Sequence, residues 1–299
     1  MATSKFRRVT RRHGIAPPTG GRASLVALAT VFSVVFAGVI APSVANASSA
    51  KHSGTVNVLY AGSLLDLMQQ QIGPAFHKAT GYTVTGFSAG SSALATEIKG
   101  GTEVGDVFIS ASPTADSSLI GASNGSWVTS YQEFGRSPLV LGYYPSSNFA
   151  KALRSQPWYN VVTEPGFLLG RTDPATDPKG VLAVDALTGV ALSYNVPSLA
   201  PLATSTSNVF AETSLVGELQ AGQLDAGFFY RVEAKAANLK TVPLVGTGLY
   251  AKYTIALLKN APNSGAANAF ISFMLSKTGR TILKSNGIAP IVPATSFNS

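Results

Sequence analysis

The hydrophobic pattern of the chain switches repeatedly between short apolar runs, which predict strands, and stretches with helical spacing of apolar residues. Strands are predicted at residues 55–60, 82–87, 106–110, 139–144, 166–170, 224–230 and 254–258. Helices are predicted at residues 64–80, 92–99, 113–121, 180–192, 212–221, 231–237, 266–276 and 279–285. This alternation is typical of an α/β fold with mostly parallel sheets flanked by helices.

Two segments lack either periodicity. Residues 48–54 precede the first predicted strand and are expected to be disordered. Residues 193–210 are rich in Ser, Pro, Thr and Asn, which favour turns, so we predict a surface loop there.

The first 47 residues have the pattern of a secretory signal. Six basic residues and no acidic one occur in residues 1–23, an apolar run follows at residues 25–40, and Ala45-Asn46-Ala47 provides a small-x-small cleavage site. The apolar run is shorter than a usual membrane-spanning helix. We therefore expect export with cleavage after Ala47, and an uncleaved membrane anchor is the alternative.

The signal segment also accounts for most of the positive charge. The chain has 22 basic and 14 acidic residues, and removal of the six basic residues of the signal leaves 16 basic against 14 acidic. This near balance gives no indication of nucleic-acid binding, which requires a clustered basic face. The chain has no cysteine, which excludes disulfides, thiolate metal sites and a lipidated Cys at the cleavage point. A soluble mature protein on the periplasmic or extracellular face of the membrane is expected.

Two serines lie where a predicted strand passes into a predicted helix. Ser63 follows the first strand and Ser91 follows the second. The free N–H groups and aligned peptide dipoles of a helix start favour negative charge, so two such points could hold an anion without a basic side chain. Ligands of open α/β sheets bind at the carboxyl ends of strands. The alternative for both serines is an ordinary helix cap.

Five motifs occur in the order and spacing of one protein family. They are Tyr-Ala-Gly-Ser-Leu at residues 60–64, Ser-Ser-Ala-Leu at 91–94, Gly-Asp-Val-Phe-Ile-Ser-Ala at 105–111, Asp-Pro-x-x-Asp-Pro-x-Gly at 173–180 and Asp-Ala-Gly-Phe-Phe-Tyr at 225–230. From about residue 56 to 293 the chain resembles the substrate-binding proteins of molybdate and tungstate ABC importers. Within that family it is most similar to the tungstate/molybdate-binding branch.

The resemblance implies a two-lobed periplasmic-binding-protein fold of type II, with a two-stranded hinge and the ligand enclosed between the lobes. After the signal (1–47), the first lobe would comprise residues 48–137 and 247–299, and the second lobe residues 138–246. The chain would cross near residues 136–138 and return near residues 246–252. The implied ligand is molybdate or tungstate, and the implied partners are the membrane subunits of an ABC permease. We expect a monomer without a cofactor.

The same resemblance assigns ligand contacts to particular residues. Ser63 and Ser91 would offer hydroxyl and N–H groups, with Ser92 as the alternative to Ser91. Ser137 would offer a backbone group, and the Tyr230 hydroxyl would bond to the ligand.

Asp177 is the remaining candidate, with Asp173 as the alternative carboxylate. In the tungstate-type branch, an Asp at the position of Asp177 and a Glu before the matching Tyr ligate the metal directly. Here the Glu position holds Phe229. A lone carboxylate beside a dianion is repulsive unless it binds the metal or is protonated. Asp177 is therefore a metal ligand only if the metal of the oxyanion is directly coordinated, and it could instead cap the helix that begins near residue 180.

Other functions remain open on the sequence alone. Sulfate, thiosulfate, phosphate or a small carboxylate are alternative ligands, and a carboxylate would favour a buried Arg136 or Arg171. An exported serine hydrolase is a distant alternative, because only His52 and His77 follow the signal and no Gly-x-Ser-x-Gly motif is present. A purely structural module would have no need of serines at strand ends. We therefore predict a binding protein rather than an enzyme.

Overall fold

The computed structural model describes residues 52–298, and the predicted signal segment (residues 1–47) lies outside the described residues. The strands are β1 (Thr55–Ala61), β2 (Thr83–Ala89), β3 (Val107–Ser110), β4 (Ser130–Tyr143), β5 (Leu169–Thr172), β6 (Val209–Phe210), β7 (Ala226–Tyr230), β8 (Lys240–Pro243), β9 (Tyr250–Leu257) and β10 (Ala289–Asn298). The α-helices are α1 (Leu65–Leu67), α2 (Gly73–Thr80), α3 (Ser91–Gly100), α4 (Pro113–Ser117), α5 (Ala150–Ser155), α6 (Trp158–Val161), α7 (Pro178–Ser193), α8 (Ala200–Thr204), α9 (Leu215–Gln220), α10 (Arg231–Ala236), α11 (Ser264–Leu275) and α12 (Lys277–Ser285).

The strands hydrogen-bond in the order β2-β1-β3-β9-β4-β7-β5-β6, and β8 and β10 also pair with β4. The group β2-β1-β3 and the group β7-β5-β6 are each parallel internally. Every antiparallel pair involves β4 or β9. The predicted α/β class is therefore confirmed, and the antiparallel pairing is confined to the two strands that join the parallel groups.

Strand β4 is shared by both groups of strands. Its first half pairs with β9 and β10, and its second half pairs with β7 and β8. The change of partners occurs next to Pro138, which lies opposite Tyr250 of β9. The sequence predicted only the second half of this strand, because polar residues such as Gln132, Glu133 and Arg136 interrupt the apolar pattern of the first half.

The segment after β1 is helical, as predicted, but it is not one regular α-helix. It begins with a 3-10 turn (Gly62–Leu64), continues through α1 into a π-helical turn (Met68–Ile72) and ends with α2. A π turn adds a residue per turn and shifts the side chains that follow. Its buried apolar residues are Leu64, Leu67, Met68, Ile72 and Phe76.

Several local expectations were wrong. Residues 193–210 contain a 3-10 turn (Pro197–Leu199), α8 and β6 rather than a plain loop. At the start of the described chain, the His52 N–H donates to Thr80 O at 3.0 Å, and the His52 ring stacks on Tyr82. These contacts order residues 52–54 of the segment that was expected to be disordered, and its residues 48–51 lie outside the described residues. Strands β8 and β10 were not predicted, because both are largely exposed and β10 contains prolines.

Within residues 52–298, no helix combines the length and the apolar character required to cross a bilayer.

Phe76 tests the packing between α2 and α11. Its side chain is fully buried, and its ring centroid lies 5.2 Å from that of Phe270 and 5.6 Å from that of Phe273. We expect Phe76→Ala to lower the free energy of unfolding by about 3–5 kcal/mol, because it removes a buried ring and leaves a cavity. Phe87, which is 43% exposed, is the control. Urea unfolding measures both variants, and an equal loss in Phe87→Ala would contradict this view of the core.

Candidate functional site

Ser63 and Ser91 lie at the same edge of the sheet, because β1 and β2 are neighbouring parallel strands. Ser63 is within the 3-10 turn that follows β1, and Ser91 is the first residue of α3. The residues that precede these helices are Ala61 and Gly90, and neither helix start has a side-chain cap. The capping role considered for the two serines is therefore wrong, and the helix starts keep N–H groups available.

Both serine hydroxyls are buried and hydrogen-bonded. Ser63 Oγ lies 2.8 Å from the hydroxyl of Tyr253 on β9, and Ser91 Oγ accepts a hydrogen bond from the N–H of Ala111 at 3.0 Å. The Ser91 hydroxyl proton has no acceptor among residues 52–298, so it is free to donate to a ligand.

Tyr230 ends β7, the strand beside the second half of β4. Its side chain is fully buried, and its hydroxyl has no hydrogen-bond partner in the described part of the chain. The ring meets Tyr253 edge to face, with 6.2 Å between centroids. Burial, with the nearby Asp177 charge, raises the pKa of Tyr230 well above its usual value. Tyr230 is therefore a neutral O–H donor at any physiological pH.

Asp177 immediately precedes α7 and is buried, but its side chain makes no capping hydrogen bond. Its Oδ2 atom has no partner within residues 52–298, and neither has the buried hydroxyl of Thr172 at the end of β5. Burial raises the pKa of the Asp177 carboxyl, and the positive charge of Lys179 acts against this shift. The Thr172 hydroxyl and the backbone N–H of Lys179 also lie close to the Asp177 carboxyl and act to lower its pKa. The N–H of Lys179 is the donor that a helix cap at Asp177 would use, so the structure leaves the helix-capping alternative for Asp177 in place.

Ser137 occupies a different kind of position. Its hydroxyl donates to the carbonyl of Gly287 at 3.0 Å and accepts from the N–H of Val232 at 3.1 Å. The side chain therefore ties β4 to α10 and to the segment after α12, and the predicted ligand contact there depends on the backbone alone.

The sequence did not reveal a buried ion cluster centred on Lys179. Its Nζ lies 2.8 Å from Glu233 Oε2 and 3.1 Å from Glu212 Oε1, and all three side chains are almost fully buried. Burial acts to lower the pKa of Lys179, but the charges of Glu212 and Glu233 outweigh it and raise the pKa. Lys179 therefore remains charged and is paired with two carboxyl groups, so its ammonium is not available to bind an anionic ligand.

Glu212 is the member of this cluster that faces the turn containing Gly62 and Ser63. Burial raises its pKa to about 8, against the opposing charge of Lys179. Its Oε2 atom has no hydrogen-bond partner in residues 52–298 and lies in van der Waals contact with Gly62, where any side chain would occupy the same space. One ammonium faces the three carboxyl groups of Asp177, Glu212 and Glu233, which favours a protonated carboxyl among them.

A second glycine allows a similar approach at the other serine. A Cβ atom on Gly90 would collide with the carbonyl oxygen of Thr176, and that carbonyl accepts a hydrogen bond from the N–H of Ala93 at 3.0 Å. Each serine turn thus contains a glycine whose missing side chain leaves room for a polar group from residues 176–212. That group is the Glu212 carboxyl at Gly62 and the Thr176 carbonyl at Gly90.

The alternative residues have other partners. Asp173 Oδ1 accepts from the N–H of Ala175, in an exposed turn, and Ser92 is only half-buried. Phe229 is fully buried, with Lys179 Nζ 5.5 Å from its ring centroid. It offers no metal ligand.

The two candidate arginines are engaged within the protein. Arg136 pairs with Glu133 at 2.7 Å, and the Arg171 guanidinium donates to backbone carbonyls, including those of Thr172 and Ser205. Neither of these two arginines therefore offers a free guanidinium to a carboxylate ligand.

No catalytic triad is formed within residues 52–298. His77 Nδ1 lies 3.1 Å from Tyr82 O, and His52 stacks on the same tyrosine. Neither His52 nor His77 bonds to Ser63 or Ser91, so neither serine forms a serine–histidine pair in the described chain.

The ionisation of Glu212 should affect the stability of the folded protein. Its pKa is about 8 in the folded protein, against 4.5 for an ordinary glutamate, so the folded state retains a proton that the unfolded chain releases. The free energy of unfolding should therefore fall as the pH rises from about 4.5 to about 8. Glu212→Gln should flatten this decline by at least about 1 kcal/mol, since one pKa unit is worth about 1.4 kcal/mol.

Urea unfolding between pH 5 and pH 8 measures the effect, with the half-buried Glu218→Gln as the control for removal of a carboxylate. A decline that is unchanged in Glu212→Gln would contradict the assignment of a protonated Glu212.

Curated relatives of the chain include solute-binding proteins of archaea. It is 26% identical over 221 residues to the molybdate/tungstate-binding protein WtpA of Pyrococcus abyssi, and this match covers 56% of the chain and 64% of that protein. The chain thus spans less than two thirds of the Pyrococcus protein. The WtpA protein of Thermococcus kodakarensis is 23% identical over 332 residues, with 92% of each chain covered.

Solved structures show the same fold at low sequence identity. The periplasmic molybdate-binding protein of Azotobacter vinelandii matches with a TM-score of 0.60 and 19% identity, covering 78% of this chain and 98% of that one. The sulfate-binding protein SubI of Mycobacterium tuberculosis matches with a TM-score of 0.62 and 15% identity, covering 81% and 88%.

One family model matches most of the chain. Residues 56–289 match the model described as bacterial extracellular solute-binding protein. This range runs from β1 to the first residue of β10 and includes every residue of the site. The chain therefore belongs to the family of bacterial extracellular solute-binding proteins.

Proposed function

We propose that the protein captures a tetrahedral oxyanion, molybdate or tungstate, and delivers it to an ABC permease. The observation that carries this proposal is a group of buried polar atoms that have no partner within residues 52–298: the Tyr230 hydroxyl, Asp177 Oδ2, the Thr172 hydroxyl and Glu212 Oε2. Buried polar groups of native proteins are nearly always hydrogen-bonded, so such a group indicates a ligand. The relatives named for molybdate and tungstate favour the choice of oxyanion.

The arrangement of strands supports capture between two lobes. The group around β1–β3, with β9 and β10, corresponds to the proposed first lobe (residues 48–137 and 247–299), and the group around β5–β8 corresponds to the second (residues 138–246). Strands β4 and β9 connect the groups and would form the hinge. Ser63 and Ser91 belong to the first group, whereas Asp177 and Tyr230 belong to the second, so the ligand would contact both.

Protonated side chains would make the site a set of hydrogen-bond donors. Tyr230 is neutral, and the raised pKa values of Asp177 and Glu212 favour carboxylic acids that donate O–H bonds to an anion. Molybdate and tungstate are fully deprotonated and need donors only, whereas phosphate retains a proton near neutral pH and needs an acceptor. Sulfate has shorter bonds than molybdate and would leave buried donors unpaired, at a cost of about 1–3 kcal/mol each.

Hydrogen bonding to the oxygens fits this chain better than direct coordination of the metal. Phe229 cannot supply the second carboxylate of the tungstate-type branch, and Glu212, which pairs with Lys179 through Oε1, does not occupy that position of the sequence. Asp177 would become a metal ligand only in a six-coordinate complex. X-ray absorption of the bound metal distinguishes the two, and a six-coordinate spectrum would refute the tetrahedral arrangement.

Binding rather than catalysis is the proposed role, since neither serine is paired with a histidine in the described chain and the family consists of solute-binding proteins. The mature protein would act outside the cytoplasm as a monomer, and closure of the lobes would present a surface to the permease.

A ligand panel tests the specificity. We expect isothermal titration to give affinities for molybdate and tungstate at least about 100-fold higher than those for sulfate and phosphate, which corresponds to two unpaired donors. Elemental analysis for molybdenum and tungsten in the protein purified from the exported fraction is an independent measurement. Equal affinity for sulfate and molybdate would refute the assignment of the ligand.

Tyr230→Phe tests the unpartnered hydroxyl directly. Because this hydroxyl bonds to no described residue, its removal should leave the melting temperature of the ligand-free protein unchanged or slightly higher. The affinity for molybdate should fall about 10- to 100-fold, the equivalent of one hydrogen bond to a charged group. Tyr143→Phe is a matched control on β4, buried but outside the site. Unchanged affinity in Tyr230→Phe would remove Tyr230 from the ligand contacts.

A further inference from the structure

We propose that a basic groove, lined by Arg231, Lys277, Arg280 and Lys284, binds a ligand that carries phosphate groups. This site shares no residue with the proposed oxyanion site, and the proposal goes beyond the function given above.

The groove is a concave surface with a volume of about 630 Å³. Lys277, Arg280 and Lys284 occur at successive three- and four-residue spacings on α12, so they lie along one face of the helix. Arg231, the first residue of α10, faces them across Gly287, whose absent side chain allows the stem of the arginine to approach. The groove is thus formed where two helices from separate parts of the chain meet.

The charge of the groove is uncompensated. It is lined by four basic residues and no acidic one, although the chain after the signal has nearly equal numbers of each. None of the four forms an ion pair with any carboxylate of residues 52–298. Cations gathered without counter-charges repel one another and destabilise the folded state, and a polyanionic ligand would relieve that repulsion.

The side chains differ in how far they are fixed. Arg280 Nη1 donates to the carbonyl of Leu275 at 2.9 Å, which holds its guanidinium at the end of α11. The side-chain nitrogens of Arg231, Lys277 and Lys284 bond to no residue of the described chain. One fixed guanidinium and three free cations can bind more than one phosphate group, since guanidinium forms paired hydrogen bonds with phosphate and ammonium serves as a point charge.

Apart from Thr281, the remaining lining of the groove is apolar. Ile288, Ala289, Pro290 and Val292 form part of the groove, and Val292 is 63% exposed. A basic rim beside an apolar floor suits an organic phosphate, such as the headgroup region of an anionic phospholipid or a soluble phosphorylated molecule. Phosphate recognition is common to both sources.

Two probes distinguish these sources. Sodium tripolyphosphate, titrated by calorimetry, tests a soluble phosphate ligand. Co-sedimentation with vesicles of 30% phosphatidylglycerol in phosphatidylcholine, against pure phosphatidylcholine, tests the headgroup. We expect at least one probe to bind at low ionic strength and to weaken as salt is added.

Lys277→Glu/Lys284→Glu should reduce this binding at least tenfold. The control is Lys151→Glu/Lys240→Glu, which makes the same change in net charge at two other exposed lysines. The affinity for molybdate, measured on all variants, should stay unchanged. A failed phosphate-binding test in the groove can therefore be distinguished from a failure of the proposed oxyanion binding. Equal losses in the two double variants, or no binding of either probe, would overturn the proposal.

Discussion

The polar interior of this protein depends on the ion cluster around Lys179. The buried Lys179 Nζ lies 3.1 Å from Glu212 Oε1 and 2.8 Å from Glu233 Oε2. Its positive charge also acts to lower the pKa of Asp177. A buried charge without a partner costs several kcal/mol, so each member constrains the position of the others. Because Lys179 is on α7 and Glu233 on α10, the cluster joins the two helices that directly follow Asp177 and Tyr230. It fixes the carboxyl groups without offering a free cation to the ligand.

The first part of the chain meets this cluster through backbone rather than side chains. Gly62 admits the Glu212 carboxyl, and Gly90 admits the Thr176 carbonyl, each beside a serine at the end of a parallel strand. In the proposed site, hydroxyl, carboxyl and helix-start N–H groups would therefore meet the ligand, while Arg136 and Arg171 remain bonded elsewhere. Such a set of donors would recognise the size and protonation of an anion more than its charge alone.

The sequence predicted the class of fold and the position of the serine turns, because strand periodicity and motif order are local properties. It also placed Tyr230 and Asp177 at element ends, where the structure has them. Lys179, Glu212 and Glu233 could not be found in this way, since ordinary spacing of charged residues resembles a solvated helix face. Their significance comes from burial, which depends on packing between distant elements. One signal was present: Lys179 lies within the Asp-Pro motif that contains Asp177.

The first half of β4 was missed for a related reason. A strand with partners on both sides is stabilised by long-range pairing, which permits polar residues such as Gln132 within it.

Strand β4 also affects the order in which the protein can fold. Ser137 bonds to Gly287, 150 positions further along, and β4 is sandwiched by β9 and β10, which are both made late. Contacts between such remote positions form slowly, because a long loop must close first. The nascent polypeptide therefore cannot complete its central sheet until residues 289–298 have been synthesised. Until then this sheet would stay incomplete, a state that suits passage of an unfolded chain through a narrow translocation channel.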